Sequence, residues 1–382
     1  MILNFHLPSY FSSRVRREIG ELYAHSAVAN MASSMMLLFE PIFFYAILKF
    51  SIPQVLLLVA VTYATYIVFI PLGGKFASNY GYKHAIAISI PFQIIYWMLL
   101  VIAQQNGAWA FAGAIFYGLS KTFYWPGFHS LMARYADQGQ VGREFGAIYS
   151  LISLTFIAGP LIAGFLTQHF GFTLTFVITA IIYSFSILPL FRVKEIFVPK
   201  TYYFSQTWEL YRQFPRKFLG YLGFGEELLV LNVWPIFIFI IVKNFEGTGA
   251  LATVSSLAAA GLALLVGKIT DQYSKRVLIK LGTLFYALIW LARFICTNLW
   301  NTFFVDALSR TSKEMVFIPV STITYIRAEA THVVPYVVFF EQSLAIGKLS
   351  ACLLGALLFS LTGSFMVLFV LGALYSLLYM LI

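Results

Sequence analysis

Long apolar runs separated by short polar segments fill the chain from residue 23 onward. Each run approaches or exceeds the ~20 residues that carry an α-helix across a bilayer. We place spans at 23–48, 52–73, 84–104, 108–133, 145–169, 172–191, 219–242, 248–267, 277–297, 300–325, 335–361 and 363–382. The pattern predicts an all-α membrane protein with twelve transmembrane helices. Its parts are a cytoplasmic lead-in (1–22), a six-helix half (23–191), a polar cytoplasmic linker (192–218) and a second six-helix half (219–382).

Composition agrees with this pattern. Of the 382 residues, 60% are hydrophobic and only 10% are charged, whereas soluble domains carry about 25% charged residues. An ordinary cytosolic globule is therefore excluded. The cysteines, Cys296 and Cys352, both lie inside apolar runs and exclude a disulfide framework or a CxxC metal site. Residues 1–20 lack the apolar core of a cleavable signal peptide, so we expect the first span to direct insertion.

The placement of Lys and Arg predicts the orientation. With a cytoplasmic N-terminus, the inside segments hold 18 of these residues and the outside loops hold two, Lys49 and Lys243. This asymmetry follows the positive-inside rule. A net charge of +10 therefore reflects membrane topology and does not call for a nucleic-acid partner. We expect a multi-pass protein of a bacterial-type plasma (inner) membrane, working as a monomer.

Three segments of the first predicted half are similar in sequence to segments of the second half. The polar loop 74–83 (GKFASNYGYK) is similar to 267–276 (GKITDQYSKR). Likewise 41–50 (PIFFYAILKF) is similar to 235–244 (PIFIFIIVKN), and 119–122 (LSKT) to 308–311 (LSRT). Three matches in the same order predict an internal duplication, a common plan among transporters.

The two polar loops resemble the signature loop of the major facilitator superfamily, G-x-x-x-D-x-x-G-x-[RK]. The matching residues are Gly74, Gly81 and Lys83 in the first copy and Gly267, Asp271 and Arg276 in the second. The resemblance implies a fold whose halves rock about a mid-membrane site, with these residues in the gating loops. Ser78 stands where the family has Asp, and Ser274 replaces the second Gly. Ser78 thereby removes a carboxylate that helps latch the cytoplasmic side in the family.

Charges inside the spans indicate where the chemistry lies, since a mid-membrane charge costs at least ~3 kcal/mol. Most fall on spans 1, 4, 7 and 10, which line the central cavity in the family resembled. We predict that proton coupling involves Glu40, Glu226 and Glu227. We predict substrate contacts from Lys121, Trp125, Trp234, Asp306, Arg310 and Glu314.

Each prediction has a structural alternative. Glu40 precedes Pro41, which opens the helix locally, but it can instead be a hydrogen-bonded structural residue. Glu226 and Glu227 point about 100° apart on a helix, so we expect only one of them to face the cavity. Arg310 can pair with Asp306 or Glu314, four residues away on either side. This pair is either a switch that frees Arg310 for an anion or a permanent bridge.

The sequence predicts a secondary active transporter of a small organic solute, driven by a proton gradient and without a bound cofactor or metal. The segment Gly159–Gly164 (GPLIAG) resembles an element frequent in drug/proton antiporters and favours efflux. Walker, zinc and nucleophile motifs are absent, so we expect no enzyme and no catalytic residues. An uncoupled facilitator of the same fold and a membrane scaffold or receptor remain as alternatives. The substrate and the direction of transport stay open.

Overall fold

The computed structural model describes residues 17–135, 141–192, 195, 199–257 and 274–382. Two of the predicted gating residues, Gly267 and Asp271, lie outside the described residues, as does the second part of the predicted eighth span. Secondary structure in the described ranges is helical. The all-helical class predicted from the apolar runs is therefore confirmed.

Helices of the N-terminal part follow the predicted spans closely. They are α1 (Arg17–Leu37), α2 (Phe39–Ile42), α3 (Ile52–Tyr80), α4 (Tyr82–Ala103), α5 (Ala108–Tyr135), α6 (Val141–Phe185) and α7 (Ile187–Leu190). A π-helical turn, Phe43–Ile47, follows α2 directly. The helical path is thus irregular just after Pro41, where the sequence predicts a local opening. Two predicted spans merge in α6, which breaks at Gly171 with φ of 80°; glycine adopts this conformation without steric cost.

The linker and the C-terminal part complete the described chain. They contain α8 (Phe204–Gln213), α9 (Pro215–Leu222), α10 (Gly225–Leu228), α11 (Trp234–Val242), α12 (245–257), α13 (Lys275–Ala292), α14 (Leu299–Ala330), α15 (Val333–Thr362) and α16 (Phe365–Leu377). A π-helical turn, Leu229–Val233, joins α10 to α11 directly before Pro235. The irregular turn near Pro41 thus has a counterpart in the second part of the chain.

Seven helical segments of the described chain are long and apolar enough to cross a membrane. They are Gly20–Ile47, Ile52–Tyr80, Tyr82–Ala103, Ile157–Leu190, Pro215–Val242, Lys275–Ile295 and Val333–Thr362. Large apolar side chains such as Val68, Leu288 and Leu361 are exposed on these helices. Such a surface suits lipid. The chain is therefore an integral, multi-pass membrane protein, while the full set of twelve spans stays a prediction.

Several helix pairs of the described chain join the N-terminal helices to the C-terminal ones, and two of them have contacts that fix their spacing. Helix α3 packs along α15, where the Gln342 amide donates to the carbonyl of Ile67 at 3.0 Å. Helix α6 packs against α12, where the Thr253 hydroxyl donates to the carbonyl of Ile157 at 2.7 Å. At Gly249 an added Cβ would lie 2.3 Å from the Pro160 carbonyl oxygen. Only glycine permits the two helices to approach so closely here. Pro160 also lines the large cavity described below.

Candidate functional site

A cavity of about 230 Å³ lies between the N-terminal and C-terminal helices. We call it the large cavity. Leu37 and Leu38 line it from α1 and its junction with α2, and Pro160 lines it from α6. Its charged lining comes from the C-terminal helices: Glu226, Glu227, Asp306, Arg310, Lys313 and Glu314. Apolar walls with a few convergent polar groups are typical of a small-molecule site.

Glu226 forms the most enclosed ion pair of this cavity. Its side chain is fully buried and forms a salt bridge with Lys313. The hydroxyls of Tyr286 and Tyr379 donate to the same carboxylate at 2.6 and 2.9 Å. The Tyr379 hydroxyl also accepts from the Lys313 ammonium at 2.9 Å. Side chains of α13, α14 and the C-terminal turn, the 3-10 helix Leu378–Leu381, therefore hold its charge in place.

Asp306 organises the neighbouring part of α14. The Trp234 indole nitrogen donates to one carboxylate oxygen at 2.8 Å, and Arg310 Nε donates to the other at 2.9 Å. The structure thus pairs Arg310 with Asp306, one of the two partners that the spacing allows. Glu314 also lines the cavity, and its buried Oε2 has no hydrogen-bond partner among the described residues. The predicted substrate residues Trp234, Asp306, Arg310 and Glu314 therefore meet in one place.

Glu227 connects the large cavity to a second one of about 60 Å³, the small cavity. Its Oε2 accepts from the Lys348 ammonium on α15 at 2.9 Å. We expected only one of the two adjacent glutamates to face the cavity, but both line it. They still diverge, since Glu226 bonds to α13, α14 and the C-terminal turn, whereas Glu227 reaches α15. Glu227 lines the small cavity as well, and its side chain is partly exposed there.

Glu40 is buried away from the lining of both cavities. The Trp97 indole nitrogen donates to its Oε1 at 2.8 Å and the Tyr96 hydroxyl to its Oε2 at 3.1 Å. Neutral donors of α4 thus surround this carboxylate. The geometry matches the structural alternative weighed for Glu40, and its role in coupling remains an untested prediction.

Lys121 and Trp125 lie on α5 beside the small cavity. The Lys121 ammonium lies 4.3 Å from the ring centre of Tyr117, 5.6 Å from that of Tyr63 and 6.0 Å from that of Trp125. Such distances are typical of cation–π contacts. Trp125 lines the small cavity and stacks on His129 with ring centres 5.2 Å apart.

His129 belongs to a buried group that the sequence analysis missed. We call Tyr66, His129, Tyr325 and Glu341 the interhelix cluster. His129 Nε2 lies 2.8 Å from Glu341 Oε1, and its Nδ1 lies 2.6 Å from the Tyr325 hydroxyl. The Tyr66 hydroxyl donates to Glu341 Oε2 at 2.8 Å. The cluster joins α3 and α5 to α14 and α15. The sequence did contain one indication of this cluster, namely the charged residues Glu341 and Lys348 inside the predicted eleventh span.

Comparisons with known proteins agree with this architecture. Residues 24–202 match the family model described as Major Facilitator Superfamily. The crystal structure of the human organic anion transporter MFSD10 (TETRAN) superposes with a TM-score of 0.69 over 98% of this chain and 100% of that one, at 13% identity. Residues 24–202 of this chain are thus similar to the Major Facilitator Superfamily, and the superposition shows the same fold over nearly the whole chain.

Curated relatives match shorter stretches of this chain. An uncharacterised MFS-type transporter of Bacillus subtilis (strain 168), YxaM, is 29% identical over 166 residues, which is 42% of this chain and 41% of YxaM. A methylenomycin A resistance protein of the same organism is 28% identical over 122 residues, 32% of this chain and 26% of the relative. The matched stretch thus spans less than half of either relative.

The first polar loop, 74–83, which resembles the superfamily signature loop and has Ser78 in place of its Asp, contacts the linker. The Ser78 hydroxyl donates to the carbonyl of Lys200 at 2.5 Å, and the Lys200 amide donates to the Ser78 carbonyl at 3.1 Å. Lys83 forms a buried salt bridge with Glu21. Gly81 has φ of 110° and joins α3 to α4, while Gly74 faces Val338 of α15.

Other residues of the linker form hydrogen bonds to α15. The Tyr202 hydroxyl lies 2.8 Å from Thr207 Oγ1, which donates to the carbonyl of Pro335 at 3.2 Å. Burial raises the pKa of Tyr202 to about 12, so this hydroxyl stays neutral at physiological pH. Arg276 of the second loop lies exposed in the first turn of α13. No group of three or more metal-ligating side chains occurs within the described ranges.

Proposed function

We propose that this chain is a secondary active transporter that moves a small organic solute by alternating access. The observation that carries the proposal is the large cavity, which lies between N-terminal and C-terminal helices and concentrates the charged side chains of α10 and α14. The solute would bind there, against Trp234, Asp306, Arg310 and Glu314. Trp125 and Lys121 would extend the site towards the small cavity.

The same proposal includes the architecture that alternating access needs. Two six-helix halves, 23–191 and 219–382, would rock about the cavity, with 192–218 as the connecting linker. The signature-loop residues Gly74, Gly81, Lys83, Gly267, Asp271 and Arg276 would act in gating. A monomer in a bacterial-type plasma membrane, with a cytoplasmic N-terminus, is the form we expect.

Protons are the coupling ion that we propose. Glu226 and Glu227 line the cavity, and Glu40 is buried two residues after Leu38, which lines it. Glu314 adds a fourth carboxylate, because its buried Oε2 lacks a partner within the described part of the chain. A membrane carboxylate without a partner is a position at which a proton or a cation can be taken up. The name of the methylenomycin A resistance relative favours export, and thus antiport.

An uncoupled facilitator is the second candidate, and the ion pairs favour it. Glu226 is held by Lys313 and Glu227 by Lys348. If both pairs persist through the cycle, the carboxylates bind no proton and only shape the site. Coupling therefore requires that at least one pair opens when the solute binds or leaves.

Proteoliposomes that enclose a pH-sensitive dye would test coupling. They would be challenged with cationic drugs, organic anions, amino acids and sugars. The account expects a solute-triggered pH change with the wild type that Glu227→Gln and Glu314→Gln reduce. Glu246→Gln is the matched control, because Glu246 is exposed and lies outside the cavity lining. Counterflow of any of these solutes without a pH change would replace the coupled transporter with the facilitator.

A further inference from the structure

Lys121 is a membrane cation without an acidic partner. Its side chain is half-buried on α5, and no carboxylate lies at ion-pair distance from its ammonium among the described residues. The neighbouring rings of Tyr117, Tyr63 and Trp125 provide only their π faces. Cation–π contacts offset only part of the cost of removing an ion from water. The charge of Lys121 is therefore incompletely compensated.

A second cation approaches the same ring from the opposite part of the chain. The Lys348 ammonium on α15 lies 5.4 Å from the ring centre of Tyr63, and that of Lys121 lies 5.6 Å from it. Lys348 is already paired with Glu227 at 2.9 Å. Glu341 also lines the small cavity, where His129 and Tyr66 hold its carboxylate. Lys121 is thus the charge of this region that has no ion-pair partner among the described residues.

Aromatic surface adjoins these charges. Tyr63 and Trp125 line the small cavity together with Glu227 and Lys348, and Glu227 also lines the large cavity. The side chain of Glu227 is 28% exposed, more than Lys348 at 11%. A ligand that extends from the large cavity towards Lys121 would therefore pass Glu227 and meet flat rings beside an ammonium group.

We infer that this region is the subsite for the acidic group of an organic anion, whose carboxylate or sulfonate pairs with Lys121 while its flat apolar body lies against Tyr63 and Trp125. The inference rests on the proposed function, because it names the chemical class of the transported solute. Lys348 of α15 lies on the other side of the subsite, where its ammonium group contacts the Tyr63 ring and pairs with Glu227. A cationic solute would meet repulsion from the unpaired ammonium group of Lys121 here.

Binding of three matched compounds would test the subsite. They are radiolabelled naphthoate, naphthylmethylamine and naphthamide, which share one aromatic body and differ in charge. We expect naphthoate to bind the purified full chain more tightly than the other two. Lys121→Met should weaken naphthoate binding about tenfold or more, because an ion pair is lost. Lys121→Arg should retain most of it, and Lys280→Met on the exposed face of α13 should change nothing.

Three results would overturn the inference: equal naphthoate affinity in Lys121→Met and wild type, tighter binding of the amine, or no naphthoate binding to the wild type at millimolar concentration. Lys121→Gln replaces Lys121→Met if the latter does not fold, as judged by its melting temperature without ligand. Counterflow separates the two proposals. Naphthoate that binds through Lys121 without counterflow keeps the subsite and contradicts transport. Counterflow of the amine but not of naphthoate keeps transport and contradicts the subsite.

Discussion

At the residue scale, Glu226 and Lys313 show how much a pattern can predict. The sequence places both in apolar runs, where charge is expensive, and so marks them as noteworthy. It does not show that they meet, because they are 87 positions apart and their contact depends on how α10 packs against α14. Arg310 and Asp306 are different. Their four-residue spacing on one helix made the pair foreseeable, although the choice of Asp306 over Glu314 was not.

A double-mutant cycle should reveal the Glu226–Lys313 pair. Glu226→Gln leaves the ammonium of Lys313 without its carboxylate, and Lys313→Met leaves the fully buried Glu226 without its cation. Each single change should destabilise the fold by about 3–5 kcal/mol, and the double variant should recover much of that loss. Thermal unfolding in one detergent would measure all four proteins. Additive losses would mean that the two side chains do not stabilise the fold through each other.

At the element scale, the sequence predicts the helices well and their contacts poorly. Apolar run length gave the starts of α3, α5 and α14 to within one residue and their ends to within seven, because spanning helices need such runs. The interhelix cluster was missed, because His129 and Glu341 are more than 200 positions apart and no local spacing links them. Which polar side chains meet in a membrane is decided by helix packing.

Weakening the interhelix cluster should loosen α15 from α3 and α5. Glu341→Gln removes the charge that His129 and Tyr66 contact. Hydrogen bonds to charged groups contribute about 1.5–3 kcal/mol, so opening should become about tenfold more frequent. Cys352 on α15 is fully buried, and in a Cys296→Ser background its labelling by a maleimide reports this opening. Glu246→Gln is the control. An unchanged labelling rate would show that the cluster does not hold these helices together.

Close packing of α6 on α12 predicts a second effect at this scale. Gly249→Ala places a methyl group against the Pro160 carbonyl oxygen, which an added Cβ would approach to 2.3 Å. Backbone must then shift, and we expect a lower melting temperature and slower transport. Gly20→Ala is the matched control, because its added Cβ meets nothing within 4 Å. A Gly249→Ala protein as stable and active as Gly20→Ala would contradict the tight contact.

At the scale of the whole molecule, the internal echoes and the signature loops indicated the superfamily before any fold was visible. The family match and the superposition with MFSD10 bear this out. A fold carries many functions, however, and the transport cycle is inferred from the cavity. Its size, its place between the two parts of the chain and its mixed charges are properties of the packed helices, which no single segment of the sequence encodes.

Access to the large cavity from both sides of the membrane is the most direct test of alternating access. Ser256 lines this cavity, so Ser256→Cys in a chain lacking Cys296 and Cys352 would be exposed to a membrane-impermeant thiol reagent on either face. Ser51→Cys and Ser274→Cys, at exposed helix starts, are the controls for the outer and inner face. The account predicts that Ser256→Cys reacts from both faces, and each control from one. Reaction of Ser256→Cys from a single face only would contradict the transport cycle.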